Sequence, residues 1–115
     1  FRFTFLLLVI KLHLGGITMK KMKKIEVVID TLHIEHLTNL LDKKGFSGYT
    51  VIKDVYGKGE RGFMSGDELT DVFKNSYLFT VCEEEKIKEV IEDLRKLLKK
   101  YGGVCLISDV EWLIH

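Results

Sequence analysis

The sequence predicts one α+β domain with the element order β-α-β-β-α-β. Two stretches carry apolar residues at helical spacing, and four others carry the alternation or the apolar density that is typical of strands. One helical stretch follows the first strand and the other follows the third strand, so each lies between two strands. The chain of 115 residues is long enough for one domain with a modest core and too short for two.

The first strand is predicted at residues 23–30. Ile25, Val27 and Ile29 alternate with other residues there, so they share one face of the strand. Thr31 follows as a candidate N-cap, because its hydroxyl can accept a hydrogen bond from a free N–H group of a first helical turn. The sequence therefore predicts a direct junction between this strand and a helix.

The first helix is predicted at residues 32–44. Lys43 and Lys44 stand at its negative C-terminal end, where cations are favourable, and Gly45 can take the left-handed conformation that closes a helix. Its apolar stripe recurs at helical spacing and consists of Ile34, Leu37, Leu40 and Leu41.

Two strands with no helix between them occupy the middle of the chain. They are predicted at residues 49–56 and 76–82, where aromatic and β-branched residues are frequent. Residues 57–73 join them and show no strand alternation. A loop of this length in a small domain is either functional or disordered.

The second helix is the strongest in the sequence. Three acids, Glu83 to Glu85, suit its positive N-terminal end, and Gly102 and Gly103 end it. Residues 104–109 follow as the fourth strand, and residues 110–114 are expected to stay extended, either in the same strand or as a separate edge strand. The apolar stripe of the helix consists of Ile87, Val90, Ile91, Leu94, Leu97 and Leu98.

This order of elements predicts the ferredoxin-like plait, a four-stranded antiparallel sheet with both helices on one face. The other face has no helix to cover it. Since an uncovered apolar face is costly in water, we expect the chain to oligomerise with its sheets packed together. The apolar residues predicted for that second face are Val28, Val51, Val55, Phe79 and Val81.

Charge and cysteine content narrow the class of protein. The net charge of +1 argues against a nucleic-acid-binding protein that relies on a broad basic face. Cys82 and Cys105 are the two cysteines, and we expect both to be reduced thiols in a cytoplasmic protein, although the sequence does not exclude a disulfide.

Residues 1–18 differ in composition from the rest of the chain. The apolar run at residues 5–10 is shorter than the ~20 residues that a membrane span needs, and no Ala-x-Ala cleavage site of a signal peptide follows it. We expect this segment to be a translated leader or a disordered extension. The native protein would then begin at Met19 or Met22, and the domain would span residues 19–115.

The loop after the second strand contains three closely spaced glycines, Gly57, Gly59 and Gly62, with Lys58 and Arg61 between them. Bare backbone N–H groups beside two cations can bind an anion or a phosphate. By spacing alone, such a pattern indicates a solvent-exposed hairpin connection more often than an anion-binding site. Further along the loop, the apolar residues Phe63, Met64 and Leu69 either pack onto the domain or form a docking tip for a partner. Ser65 lies between them and is included in the predicted docking tip.

Three parts of the sequence resemble the PII signal-transduction family. Residues 23–29 resemble the family's first strand, and residues 45–51 resemble its signature before the second strand, where a Gly-x-Thr-Val sequence occurs. The Gly57-Lys58-Gly59 sequence resembles the Gly-x-Gly at the base of the long T-loop, which would here be residues 57–73. The resemblance extends from residue 22 to about residue 114.

The resemblance implies a homotrimer that binds an adenine nucleotide in clefts between subunits. The Gly48-Tyr49-Thr50 turn would lie beside the adenosine. The other implied nucleotide-binding residues are Gly57, Lys58 and Gly59 at the base of the T-loop, Arg61 and Gly62 beside the phosphates, and Gly102 and Gly103 in place of the family's B-loop.

This sequence departs from the nitrogen-sensing members of the family in three ways. It contains no glutamine, so Glu60 and Arg61 stand where those members bind magnesium and 2-oxoglutarate. Its B-loop is reduced to two glycines with no lysine, and its T-loop is shorter and lacks the modified-tyrosine motif. These departures favour the PII-like branch, which binds ADP or AMP in preference to ATP and is associated with bicarbonate transport or carboxysomes.

The resemblance thus implies a non-enzymatic cytoplasmic nucleotide sensor whose T-loop regulates a membrane transporter, with bicarbonate as a candidate co-ligand. We find no nucleophile–base pair that would indicate an enzyme. The alternative is a trimeric protein of the same plait that resembles the divalent-metal-tolerance family. It would use Cys82, Cys105, His33 or His36, but their spacing matches no metal-binding signature, so no metal is predicted.

Overall fold

A computed structural model describes residues 15–57 and 74–115 and confirms the α+β plait with the predicted order of elements. The sheet is four-stranded, in the order β2-β3-β1-β4, and every pairing is antiparallel. The strands are β1 Thr18–Asp30, β2 Thr50–Val55, β3 Asn75–Cys82 and β4 Val104–Ile114, and the helices are a 3-10 turn Thr31–His33, α1 Ile34–Lys43 and α2 Glu84–Tyr101.

The strand β1 begins at Thr18, five positions before the predicted start at Lys23. Residues 18–22 pair with residues 110–114 of β4, beyond the end of β3, and form a two-stranded extension of the sheet. β4 is therefore one continuous strand, and residues 110–114 are not a separate element. The sequence did not predict this part of the strand, because four of residues 20–24 are lysines and lysine has a low strand propensity.

The predicted leader at residues 1–18 falls largely on residues 1–14, which lie outside the described part of the chain. Gly15 and Gly16 form a turn with positive φ angles, and Thr18 is the first residue of β1. The boundary between leader and domain at residue 18 stays a prediction.

The junction between β1 and α1 differs from the prediction at one residue. Asp30, and not Thr31, is the capping residue, because its carboxylate accepts a hydrogen bond of 2.9 Å from the N–H group of Leu32. The Thr31 hydroxyl is instead paired with the hydroxyl of Ser76 on β3, 2.9 Å away. Gly45 closes α1 with a φ of +80°, as predicted.

The core lies between the sheet and the two helices. Alternate residues of β1 and β3 point into it, and the register places Val27 directly opposite Leu78. The helices contribute one apolar stripe each, which is the expected pattern for amphipathic helices on one face of a sheet. The buried apolar residues are Ile25, Val27, Ile29, Ile34, Leu37, Leu41, Phe46, Leu78, Cys82, Val90 and Leu94.

The second face of the sheet carries no helix among the described residues, and we call it the open face. Val104 and Leu106 of β4 lie on it and are 54% and 58% exposed. The prediction that Val51 lies on the open face was wrong, because Val51 is opposite Leu78 and packs against the core. Other residues of β1, β2 and β3 lie on the open face because they alternate with buried core residues or pair with residues that do. They are Val28, Val55, Tyr77, Phe79 and Val81.

An ion pair joins the end of α1 to α2: Lys44 Nζ lies 3.0 Å from an Asp93 carboxylate oxygen. Hydrogen bonding and charge attraction from Lys44 lower the pKa of Asp93 from its ordinary value of 3.8. A lowered pKa in the folded state adds stability above the ordinary value, and that stability is lost as the pH falls through the lowered value.

Replacement of Asp93 by asparagine should therefore lower the free energy of unfolding slightly at neutral pH, since the pair is partly exposed. The difference from the wild type should shrink as the pH falls through the lowered pKa of Asp93, because both side chains are then neutral at this position. Chemical denaturation over a series of pH values from neutral to acid measures it. A difference that persists in acid would contradict the ionic origin.

Candidate functional site

The turn before β2 carries the first group of predicted site residues. The Thr80 hydroxyl donates a hydrogen bond of 2.6 Å to the carbonyl oxygen of Gly48. The Tyr49 hydroxyl donates to the Asp42 carboxylate at 3.1 Å, and desolvation, followed by this hydrogen bond, raises the pKa of Tyr49. Thr50 is exposed on the edge strand β2. The turn is thus held from both sides while its outer surface stays accessible.

Gly57 lies at the opposite end of β2, near the end of β1. Val55 is opposite Asn75, and Asn75 is in turn opposite Asp30. A Cβ atom added at Gly57 would meet no atom of the described residues within 4 Å, and the residue is exposed. The remaining predicted residues of the loop lie outside the described part of the chain: Lys58, Gly59, Arg61 and Gly62 of the phosphate group, and Phe63, Met64, Ser65 and Leu69 of the docking tip.

Gly102 and Gly103 form a two-residue turn between α2 and β4. Their φ angles are +84° and +121°, in the range that disfavours side chains. A Cβ atom at Gly103 would lie 2.7 Å from the carbonyl oxygen of Val28 and 3.0 Å from Cδ2 of Leu98. The backbone conformation alone therefore requires glycine at residue 103, and its role toward a nucleotide remains a proposal.

The two groups of predicted residues lie on opposite edges of the sheet. β2, flanked by Gly48 and Gly57, is one edge, and β4, preceded by Gly103, is the other. Two strands separate these edges, which corresponds to three strand spacings or about 14 Å. Gly57 and Gly103 do share one end of the sheet. Val104 pairs with Val28 of β1, and Val55 pairs with Asn75 of β3, which is itself opposite Asp30 of β1.

Three aromatic side chains that the sequence did not connect meet beside Gly102. The ring of Tyr101 stacks on His33 at 4.4 Å and on His36 at 4.5 Å between centroids. Nδ1 of His33 is buried and has no hydrogen-bond partner within residues 15–57 and 74–115. Only the packing of α2 on the 3-10 turn and α1 brings these residues together, although the spacing of the two histidines was visible in the sequence.

The residues of the metal-binding alternative do not form a site in the described ranges. Residues 15–57 and 74–115 contain no cluster of three or more His, Cys, Asp or Glu side chains that could hold a metal ion. Burial raises the pKa of both thiols, Cys82 and Cys105, which makes them weaker nucleophiles at neutral pH.

A second group that sequence reasoning missed lies on the open face. Tyr77 donates a hydrogen bond of 2.6 Å from its hydroxyl to Glu26 Oε2, and Lys24 Nζ lies 3.7 Å from the same oxygen. Hydrogen bonding to Glu26, followed by desolvation, raises the pKa of Tyr77. We call Lys24, Glu26 and Tyr77 the polar cluster. The pairing register of β1 and β3 brings them together, and that register was not readable from the sequence.

The chain matches the family of Nitrogen regulatory protein P-II over residues 22–114. This range covers most of the chain and all of the elements described above except the first residues of β1. The chain therefore belongs to the P-II family, for which a trimer is the typical assembly. A search of curated proteins found no match.

Solved structures place the chain near the PII-like members of that family. It is 26% identical to CPII, a nitrogen regulatory PII-like protein from Thiomonas intermedia K12 whose structure contains ADP, AMP and bicarbonate, with a TM-score of 0.69 over 81% of this chain and 89% of CPII. A second CPII structure, with ADP and bicarbonate, gives 27% identity and a TM-score of 0.68 over the same shares. A PII-like signalling protein from Thermus thermophilus shares the fold, at 23% identity and a TM-score of 0.63 over 81% of this chain and 90% of that protein.

The described residues were also searched for membrane spans. Residues 15–57 and 74–115 contain no helix that is long and apolar enough to cross a bilayer.

Proposed function

We propose that this chain is a non-enzymatic PII-like signalling protein that senses adenine nucleotides, with ADP or AMP preferred over ATP. The observation that carries the proposal is its similarity to CPII, which binds ADP, AMP and bicarbonate and is 26% identical over most of both chains. Bicarbonate is accordingly the candidate co-ligand. The absence of glutamine is consistent with a site that does not bind 2-oxoglutarate as the nitrogen-sensing members do.

The proposed nucleotide site lies between copies of the chain in a homotrimer. The described residues that we assign to the site flank β2 and precede β4, which are the two edges of the sheet. A neighbouring copy could therefore bring its β4 edge to the β2 edge of the first. The open face supports the same assembly, because exposure of its apolar residues, such as Val104 and Leu106, to water is unfavourable and contact between copies would bury them. The site residues are Gly48, Tyr49, Thr50, Gly57, Lys58, Gly59, Arg61 and Gly62 from one side and Gly102 and Gly103 from the other.

The T-loop at residues 57–73 is the proposed output of the sensor. Nucleotide contacts at its base would favour one loop arrangement over another, and the apolar residues at its tip, among them Phe63, Met64 and Leu69, would bind a partner in only one of them. The proposed partner is a membrane transporter for bicarbonate or another small anion. The protein would act in the cytoplasm and reach the membrane through this partner.

Replacement of Arg61 by glutamine tests the nucleotide site. The guanidinium group can donate charged hydrogen bonds to a phosphate, so its loss should weaken ADP binding by about tenfold or more. Isothermal titration calorimetry of the wild type with ADP, AMP, ATP and cyclic AMP, with and without bicarbonate, gives the reference affinities. The preferred ligand is expected to be ADP or AMP.

Arg95 provides the matched control, because it lies on the outer surface of α2 and pairs with Glu92 one turn away. The Arg95→Gln variant should bind ADP as the wild type does. A wild-type chain that binds none of the four nucleotides at millimolar concentration would refute the proposed function. Equal losses in both arginine variants would refute the assignment of Arg61.

A further inference from the structure

Most residues of the open face are apolar, and the polar cluster lies near its middle. Other polar residues of the same face are Ser108, opposite Lys24, Thr50, opposite Phe79, and Lys20, opposite Trp112. Glu26 is directly opposite Phe79 on β3 and Leu106 on β4, and Tyr77 is opposite Val28. The side chains of Lys24 and Glu26 are 30% and 26% exposed, although no helix of residues 15–57 and 74–115 covers this face. The cluster is therefore a charged and hydrogen-bonded group on a surface that is mostly apolar.

The polar cluster is internally paired within one chain. The Glu26 carboxylate accepts the Tyr77 hydroxyl at 2.6 Å and lies 3.7 Å from the Lys24 ammonium group. Lys24 Nζ also lies 4.9 Å from the centroid of the Phe79 ring, within the range of a cation–π contact. One cation and one anion leave the cluster with no net charge, so copies of it can approach one another without a net repulsion.

A paired charge and an unpaired charge behave differently when an interface buries them. Burial of an unpaired carboxylate is strongly unfavourable, whereas a carboxylate with a donor and a cation in place can be buried at a much smaller cost. Apolar residues of the same volume would associate at least as well, so the cluster gives no advantage in affinity. The best-attested role of such groups is to select one register and one number of subunits.

We propose that the polar cluster of Lys24, Glu26 and Tyr77 fixes the register in which the open faces of copies of this chain meet. This inference rests on the proposed homotrimer. An apolar face alone would tolerate sliding of one sheet over another, since dispersion and hydrophobic contacts have no direction. In a displaced register the Glu26–Lys24 ion pair would lie against apolar side chains, and the hydrogen bond from Tyr77 to Glu26 would be disturbed. The free-energy cost of these changes disfavours displaced registers.

The first test removes one member of the cluster. In the Tyr77→Phe variant the Glu26 carboxylate loses its 2.6 Å donor. In the Glu26→Gln variant the Lys24 cation loses its partner. We expect the protein concentration at which half of the trimer dissociates to rise at least about tenfold in each variant. Analytical ultracentrifugation of the full chain without nucleotide measures it.

Asp93→Asn is the matched control for Glu26→Gln, because it also converts a paired carboxylate into an amide. Asp93 lies on α2 and pairs with Lys44, on the helical side of the sheet. The trimer of the Asp93→Asn variant should dissociate at the same protein concentration as the wild-type trimer. Circular dichroism of each variant at the lowest concentration shows whether the dissociated chain remains folded, which separates loss of assembly from loss of fold.

The second test distinguishes register from affinity. The triple variant Lys24→Met, Glu26→Leu, Tyr77→Phe replaces the whole polar cluster with apolar side chains of similar size. We expect it to associate at least as tightly as the wild type but to distribute over more than one stoichiometry in native mass spectrometry. A triple variant that forms one trimer species as uniform as the wild type would overturn the proposed role.

The outcomes separate this inference from the function on which it rests. A wild-type chain that stays monomeric overturns the proposed homotrimer and the register role together. A trimeric wild type whose Tyr77→Phe and Glu26→Gln variants dissociate like Asp93→Asn overturns only the register role. Neither measurement depends on nucleotide affinity. The register role can therefore be tested even if the chain binds no nucleotide.

Discussion

Replacement of Gly103 by alanine is expected to destabilise the fold by about 2–4 kcal/mol. The new Cβ atom would lie 2.7 Å from the Val28 carbonyl oxygen, which belongs to the backbone of β1 and cannot rotate away. The φ of +121° at this residue also disfavours any side chain. Denaturant unfolding at a fixed protein concentration measures the loss, because assembly makes the apparent stability depend on concentration.

Gly57→Ala is the matched control for Gly103→Ala. A Cβ atom at residue 57 would meet nothing within 4 Å in the part of the chain that the structure describes, and Gly57 is not among the glycines with positive φ. Its effect on the free energy of unfolding should stay within about 0.5 kcal/mol. Equal destabilisation by both substitutions would show that the turn between α2 and β4 is not a constrained position.

Replacement of Leu37 by alanine should cost about 2–5 kcal/mol, which is a large part of the stability of a domain of this size. Leu37 lies on the inner side of α1, is 0% exposed and belongs to the core cluster. Its truncation removes buried methyl groups and leaves a cavity between α1 and the sheet. We expect the midpoint of denaturant unfolding to fall, with little change in its slope.

Leu32 offers the control for this substitution in the preceding turn of the chain. It is 79% exposed, so Leu32→Ala should change the free energy of unfolding by no more than about 0.5 kcal/mol. Similar losses at residues 32 and 37 would contradict the placement of α1 on the sheet. The comparison holds the residue type and the truncation constant and varies only burial.

The relation between the fold and the proposed site has a consequence for assembly. Gly103 is required by the backbone of a single chain, whereas the turn at Gly48 is held in place with its outer surface exposed. The stability of one chain and the formation of a site between copies can therefore be altered separately. Substitutions at residue 103 should act on folding, and substitutions in the polar cluster should act on how copies meet.

Several features of the fold could be predicted because they depend on local periodicity. The alternation of Ile25, Val27 and Ile29 and the helical spacing of Val90 and Leu94 each follow from the geometry of one element. The order of elements, together with the known arrangement of the plait, then gave the sheet and the side that the helices cover.

Other features depended on contacts between elements and could not be read from one strand at a time. The extension of β1 to Thr18 exists because residues 110–114 pair with it, and the lysines in between gave no signal. Val51 was assigned to the wrong face, because the face of β2 is set by its register against β3 and not by its own composition.

The sequence by itself determined the elements, their order and, through its motifs, the family to which the chain belongs. Only the tertiary structure decided that the described residues predicted for the site lie on opposite edges of the sheet, that Gly103 is held against the Val28 carbonyl, and that Lys24, Glu26 and Tyr77 form one cluster. The physical reason is that periodicity acts within a few residues along the chain, whereas register and edge position arise from hydrogen bonds between residues that are distant in sequence.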